Sequence, residues 1–345
     1  MFSSFDNEFY DNFDYEIRVL SKKIKYKLLF TKYFNKMFKK VAKGTTLYMF
    51  NSNYFWKNIH KFESLYNLLE DKRSKEKYIE ILAYKMLGFS KVKLSLNNKE
   101  FWKIRDETNK YKRDSRISVN FRNGYLDLYE LQDLGFNIQL YFISNGIVTD
   151  FILQQYNYED IVKVEKDDIV IDCGGCWGDT ALYFASLGAR EVYVYEFIPS
   201  NINILKQNLD LNPQYIDTIR LVDNPVWSTS DEKLSYYDNG PSSIVDSFDR
   251  FESKIETLSI DDLVRNRNLD KVDFIKMDIE GAEISALEGA KNTIEKYKPK
   301  LAISAYHKED DLFKIPDLIH SIRSDYTFYF DYYTIIGDEA IVYAI

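Results

Sequence analysis

Val170-Ile171-Asp172-Cys173-Gly174-Gly175-Cys176-Trp177-Gly178-Asp179-Thr180 is the stretch that decides the fold. It reads as a short buried strand, a glycine-rich turn, and a helix that begins at Asp179 or Thr180. Gly174, Gly175 and Gly178 let the backbone turn tightly and approach a ligand where a Cβ would collide. Asp172 closes the strand, so its carboxylate is expected to face whatever sits in the turn. The spacing is Asp-x-Gly-x-x-x-Gly, with Cys173 where the first glycine of a dinucleotide fingerprint would stand. That pattern favours S-adenosylmethionine over a nicotinamide dinucleotide, whose pyrophosphate wants the other spacing.

A glycine turn also occurs simply to pack a helix on a strand, so its surroundings matter. Val192-Tyr193-Val194-Tyr195 reads as the next strand and ends in Glu196, 24 residues after Asp172. That distance suits a βαβ unit whose second strand ends in an acid for both ribose hydroxyls.

The alternation continues beyond this unit. A helix after Pro199-Ser200-Asn201 carries Ile202, Leu205 and Leu209, and the strand Ile219-Val222 ends at Asp223-Asn224. A polar insertion over 228–256 follows, either one wall of a substrate pocket or a plain loop. Val272 to Asp278 is the fourth core strand, and Glu280 and Gly281 are expected to open the next helix. Leu301 to Ala305 is the fifth, delivering Tyr306-His307-Lys308 to the same carboxyl edge. Tyr326–Tyr332 and Ala340–Ile345 flank a Gly337 loop and should pair as a hairpin. The fold class is therefore α/β, a Rossmann-like methyltransferase sheet, parallel with a reversed last strand.

Residues 1–120 read as a helical accessory region, and 121–345 as the S-adenosylmethionine-dependent domain. Within the first, 62–88 is helical with Ser74 as N-cap and Gly88 as stop, while 98–120 is charged and expected along the surface. Residues 17–43 hold ten Lys and Arg and no acid, with apolar residues at helical spacing. This basic amphipathic segment either packs its apolar face on its own domain or contacts an anionic membrane surface or acidic partner.

With 28 Tyr and 24 Phe the chain can fill a large core, and such aromatics also suit carbohydrate contact surfaces. A net charge of −8 argues against a general nucleic-acid binder. Neither a secretory start nor a bilayer-spanning run is present, so the cytoplasm is the expected location. Cys173 and Cys176 form a C-x-x-C, but both lie inside the glycine turn and read as small lining residues. Oligomeric state is not legible.

The residues at the carboxyl edge suggest the chemistry. Asn224 and Trp227 are candidates for the adenine edge, although Trp227 could equally be core. A hydroxyl acceptor must lose its proton on attack, which calls for a general base within hydrogen-bond reach. Of His60, His307 and His320, only His307 stands at a strand end in the core, beside Asp278. His307 and Asp278 are the candidate catalytic residues, with an imidazole usable as base near neutrality. Lys276, Glu280 and Tyr306 are candidate acceptor contacts. Lys276 could instead neutralise Asp278, and Glu280 could merely favour a helix start. No metal site is assigned.

The segments IDCGGCWGDTALYFA, YVYEFIPSN, DFIKMDIEGAEISALEGA and PKLAISAYHKEDDL together resemble the FkbM family of S-adenosylmethionine-dependent methyltransferases, over about residues 150–345. The segment LEDKRSKEKYIEILAYKMLG is similar to one often found ahead of that domain. The resemblance implies methylation of oxygen on sugars or other hydroxylated products, often in natural-product or surface-glycan pathways. The chain departs from it at Asp331-Tyr332-Tyr333, where related chains often carry Arg-His-Tyr. A cofactor-binding scaffold without turnover, and more distantly an NAD-dependent oxidoreductase, are the competing readings.

Overall fold

The computed structural model describes residues 52–88, 92–119, 124–246 and 251–345. The basic segment 17–43 lies outside the described residues. Among them, no helix is long and apolar enough to cross a membrane.

Two helices open the described chain, α1 (Ser52–Leu68) and α2 (Lys72–Leu87). The single helical run expected over 62–88 is broken, and its cap is Asp71, not Ser74. Asp71 Oδ1 accepts from the Ser74 amide at 2.7 Å, which satisfies one of the free donors of the first turn. The buried Ser74 hydroxyl instead accepts from the Phe330 amide and lies 2.9 Å from the Tyr158 hydroxyl. Gly88, at φ +80°, ends α2 as expected.

The charged stretch after Gly88 is not a bare surface run. Asn98 caps α3 (Lys99–Glu107), and β1 (Lys112–Ser118) pairs antiparallel with β2 (Tyr125–Glu130), which pairs with β3 (Gln139–Phe142). Strand β1 lacks apolar alternation because it is an edge strand wet on most of its length. Its cross-strand links are ionic instead: Lys112 Nζ to Asp127 at 2.7 Å and Arg113 Nε to Glu130 at 2.7 Å.

The remainder is a seven-stranded sheet covered on both faces. Its strands are β4 (Ile169–Cys173), β5 (Glu191–Tyr195), β6 (Ile219–Val222), β10 (Phe274–Met277), β11 (Lys300–Ser304), β12 (Phe328–Tyr332) and β13 (Ala340–Ala344). Their order is β12-β13-β11-β10-β4-β5-β6. Strands β4, β5, β6, β10 and β11 run parallel, and β13 runs antiparallel to both β11 and β12. This is the reversed strand the hairpin pattern foretold. Alternate residues feed opposite cores: Ile171, Ile275 and Ile303 one side, Val170, Phe274 and Ala302 the other. Burial on both faces explains why these strands read as unbroken apolar runs.

The helices between the strands are α4 (Asp179–Ser186), α5 (Pro199–Asp210), α6 (Ile260–Asn266), α7 (Glu283–Glu288), α8 (Lys291–Tyr297) and α9 (Asp311–Ile322). Helix α2 lies against β12, with Tyr78 edge-on to Phe330 and Arg73 Nη2 2.7 Å from Asp331 Oδ2. Phe62, Leu65 and Ile81 therefore belong to the same hydrophobic cluster as Ile275 and Ile303 of the sheet. Asp331, the departure from the family pattern, is spent on docking α2. The polar insertion folds as a small antiparallel sheet of β7 (Lys233–Tyr237), β8 (Ile244–Asp246) and β9 (Ser253–Glu256).

Candidate active site

Strand β4 ends in the glycine turn, and the turn lies flush against the end of β10. Gly174 adopts φ +84°, and a Cβ there would stand 1.9 Å from the Asp278 carbonyl oxygen. A Cβ on Gly175 would stand 2.0 Å from Val194 Cγ1. Both positions exclude any other residue. Gly178, at φ +82°, leads into α4.

Asp172 and Lys276 are register partners on β4 and β10. Lys276 Nζ lies 3.0 Å from Asp172 Oδ1 and donates to the Gly174 carbonyl at 2.7 Å. Thr180 Oγ1 donates to Asp172 Oδ2 at 2.6 Å. Burial alone would lower the Lys276 ammonium, but Asp172, Asp278 and Asp179 around it raise it above its ordinary value. Two expectations are corrected here. Asp172 is fully buried and pins the turn from beneath, so it does not face a ligand. Lys276 is committed to that carboxylate and to the turn, so it is not a free acceptor contact.

Above the turn opens a cleft of about 340 Å³. Its cofactor end is built from α4, α5 and the end of β5. Asp179 lines the cleft, with Oδ1 buried and lacking a hydrogen-bond partner. Burial pushes its carboxyl up to about 6. Asp150 faces it, raised well above the usual range by burial first and by the Asp179 charge next. Two buried acids side by side are a site for a cation, as the ammonium of S-adenosylmethionine would be.

Glu196 closes β5 and lines the cleft as expected. Its Oε1 accepts from the Ile198 amide at 2.7 Å and its Oε2 from Asn201 Nδ2 at 3.2 Å. Burial nevertheless pushes its carboxyl up to about 7, so further donors such as ribose hydroxyls would find it receptive. Asn201 also receives Trp177 Nε1 at 3.2 Å and donates to the Gly240 carbonyl at 3.2 Å. One amide thereby joins the glycine turn, Glu196 and the β7–β8 turn, whose Gly240, Pro241 and Ser243 form a wall of the cleft. The insertion is a wall, not a plain loop.

Asn224 lines the cleft, but its Nδ2 donates to the Glu256 carbonyl at 2.9 Å and ties β6 to β9. Trp227 is a correction: Pro225 and Val226 line the cleft, whereas the Trp227 carbonyl packs against Gly289. Cys176 lines the cleft and Cys173 lies beneath it, both as free thiols pushed up by burial. They fit lining residues, not a redox pair.

The opposite end of the cleft centres on Asp278, just past β10. Tyr306 Oη donates to Asp278 Oδ1 at 3.1 Å, and Tyr156 Oη donates to Oδ2 at 3.4 Å. His307 sits behind them, its side chain 5 % exposed. Its Nδ1 lies 2.9 Å from Glu283 Oε1, and its Nε2 lies 3.3 Å from Asp278 Oδ1 and 3.9 Å from Glu280 Oε2. Burial alone would lower the imidazole, but Glu283 first, then Asp278 and Glu280, overturn this and raise it to about 10. His307 as general base is therefore corrected. A ring that holds its proton near neutrality has no lone pair to accept another, and His307 does not line the cleft. Glu280 is corrected in part: it sits at φ +54° in a turn before Gly281, and α7 begins only at Glu283. The helix-start explanation of its charge fails, while it does line the cleft.

Sequence reasoning missed Asp150, Tyr156, Asn201, Glu283 and Glu339. Asn201 and Glu283 lie within the quoted segments YVYEFIPSN and DFIKMDIEGAEISALEGA, so their positions were in view without a role. Asp150, Tyr156 and Glu339 come from segments remote in sequence, and no local pattern marks them.

Comparison with known proteins agrees with this geometry. A family model described as the methyltransferase FkbM domain matches residues 172–328, from the end of β4 to the start of β12. Residues 172–328 are thus similar to an FkbM methyltransferase domain. Its fold is similar to a crystal structure of methyltransferase FkbM from Methylobacillus flagellatus KT, at TM-score 0.57 and 20% identity. That likeness covers 91% of this chain and 70% of the other. Aeropyrum pernix fibrillarin with natively bound S-adenosyl-L-methionine is matched at TM-score 0.37 and 13% identity, over 67% of this chain and 99% of that one. The second likeness is too distant to argue from. No curated protein sequence matches the chain. For an FkbM methyltransferase domain the cofactor is S-adenosylmethionine, and the paired acids and the Glu196 carboxylate fit it.

Proposed function

We propose that this chain is an O-methyltransferase that methylates a hydroxyl on a neutral acceptor, most simply a sugar of a glycan or natural product. The observation that carries the reading is the contact between Asp278 and Gly174. The peptide that bears the acceptor-side carboxylate is pressed against the turn that seats the cofactor. A hydroxyl bound at Asp278 is therefore beside the cofactor's reactive end, and positioning of this kind can remove roughly 7–11 kcal/mol of a barrier.

Bound S-adenosylmethionine would supply a sulfonium methyl, whose bond to sulfur breaks with the electron pair left on sulfur as the new C–O bond forms. The rest is done by the chain's own groups. Asp278 Oδ2 accepts the proton of the hydroxyl, while Tyr306 and Tyr156 hold the carboxylate in place by donating to it. Asp179 and Asp150 hold the cationic amino-acid end, and Glu196 accepts from the ribose.

Lys276 is the sole cationic side chain lining the cleft among the described residues, and Asp172 occupies it. Acidic groups line the acceptor end, so a phosphorylated or carboxylated acceptor would meet repulsion. A neutral polyol fits. The scaffold reading is not favoured, because the Asp278 side chain keeps 21 % exposure toward the cleft.

The test is transfer of labelled methyl from S-adenosylmethionine to a panel of neutral, acidic and amino sugars. Methyl ethers on neutral sugars are expected. Label on acidic sugars or on nitrogen alone would sink the assignment.

A further inference from the structure

Four carboxylates surround the one imidazole at the end of β11. A ligand atom from each of Asp278, Glu283 and His307 lies within 4.8 Å of the other two. Glu280 Oε2 approaches from the cleft, and Glu339 lies 3.4 Å from the Tyr306 hydroxyl that also holds Asp278. An acidic cluster alone proves nothing, but the ring at its centre adds an independent fact. His307 is nine-tenths buried, and its Nε2 makes no hydrogen bond although it points into the cluster.

Two of the spacings, both measured from the imidazole, fit ligands around one ion. With metal bonds of about 2.1 Å, adjacent ligands of an octahedron stand roughly 3.0 Å apart and opposite ones roughly 4.2 Å apart. Nε2 stands 3.3 Å from Asp278 Oδ1 and 3.9 Å from Glu280 Oε2. Glu283 on Nδ1 completes the arrangement in which a carboxylate orients a metal-binding histidine through its other nitrogen. We propose that His307 Nε2, Asp278 and Glu280 bind a divalent cation of the Mn²⁺ class, with Glu283 as the positioning residue for the ring.

One nitrogen with two carboxylates and open positions for water suits such an ion. The same carboxylates that favour a proton on the ring favour a cation in its place. Because Asp278 and Glu280 line the cleft, the cation would meet the acceptor hydroxyl, polarise it and make its proton easier for Asp278 Oδ2 to take. This last role rests on the O-methyltransferase reading; the binding itself does not.

Full-length protein freed of metal by chelator is titrated with Mn²⁺ and followed by electron paramagnetic resonance. One Mn²⁺ per chain is expected, weakened at least tenfold in His307→Ala and in Glu280→Gln, with S-adenosylmethionine affinity within about twofold of wild type in both. Glu280→Gln lies at the cleft and guards against misfolding of the buried variant. No binding at millimolar Mn²⁺, or equal binding in both variants, overturns the site. Methyl transfer undiminished by chelator overturns the cation's part in the reaction while leaving the methyltransferase reading intact. Absence of S-adenosylmethionine binding would strike that reading and leave the Mn²⁺ result valid.

Discussion

Nδ1 of His307 lies 2.9 Å from Oε1 of Glu283, and both side chains are buried almost completely. The pair converts the histidine from the base that its sequence position suggested into a held cation. Its partner responds in kind: burial would raise the Glu283 carboxyl, but His307 and the Ile279 amide bring it below its ordinary value.

This pairing makes stability depend on pH in the metal-free protein. The imidazole is raised from 6.5 to about 10, so its contribution is complete below its unfolded value and fades as pH rises toward the folded one. Urea unfolding in chelator should show stability falling between these values. Glu283→Gln should cost ~3–5 kcal/mol at neutral pH, the range for breaking a buried ion pair, and flatten that fall. A wild-type curve level across this window would refute the pairing.

Lys276 and Asp172 form the second buried pair, and it supports the turn, not the acceptor. Lys276→Met should destabilise the protein by ~3–5 kcal/mol, because the Asp172 carboxylate keeps only Thr180. Calorimetry with S-adenosylmethionine should show lost affinity as the Gly174 carbonyl loses its donor. A variant with normal stability and a changed acceptor preference would restore Lys276 as a substrate contact.

Glu196 predicts how cofactor binding responds to acid. The ribose needs an ionised acceptor, and burial has pushed this carboxyl up to about 7. Affinity should therefore drop as pH falls from 8 to 6, and the drop should vanish in Glu196→Gln. That variant should bind roughly 10–100-fold more weakly at pH 8, the loss of a charged hydrogen bond worth ~1.5–3 kcal/mol. Isothermal titration at the two values decides.

Asn201 couples three parts of the cleft through one amide. Asn201→Ala should cost ~1–3 kcal/mol by leaving Trp177 Nε1 and the Gly240 carbonyl without this partner. Hydrogen exchange should rise in 238–243 and not in β10. Uniform exchange across the molecule would show that the side chain does not hold that wall.

Local sequence carried much of this fold because its signals are local. The apolar runs of β4, β5, β10 and β11, the glycines between β4 and α4, and the Gly337 hairpin each bear their geometry in a few adjacent residues. The exceptions have physical causes. Strand β1 was missed because ion pairs, not alternation, hold an edge strand wet along its length. Ser74 was misplaced as a cap because Asp71, three residues earlier, supplies the same chemistry, and Ser74 is claimed by Phe330 and Tyr158.

The sequence alone determined that Gly174, Glu196 and Asp278 stand at carboxyl ends of parallel strands, since strand order and turn chemistry follow from short-range pattern. Only the tertiary structure decided what each ionisable group does there. Protonation depends on which charges fold to within a few ångströms. Thus Lys276 was given to Asp172 and His307 to Glu283.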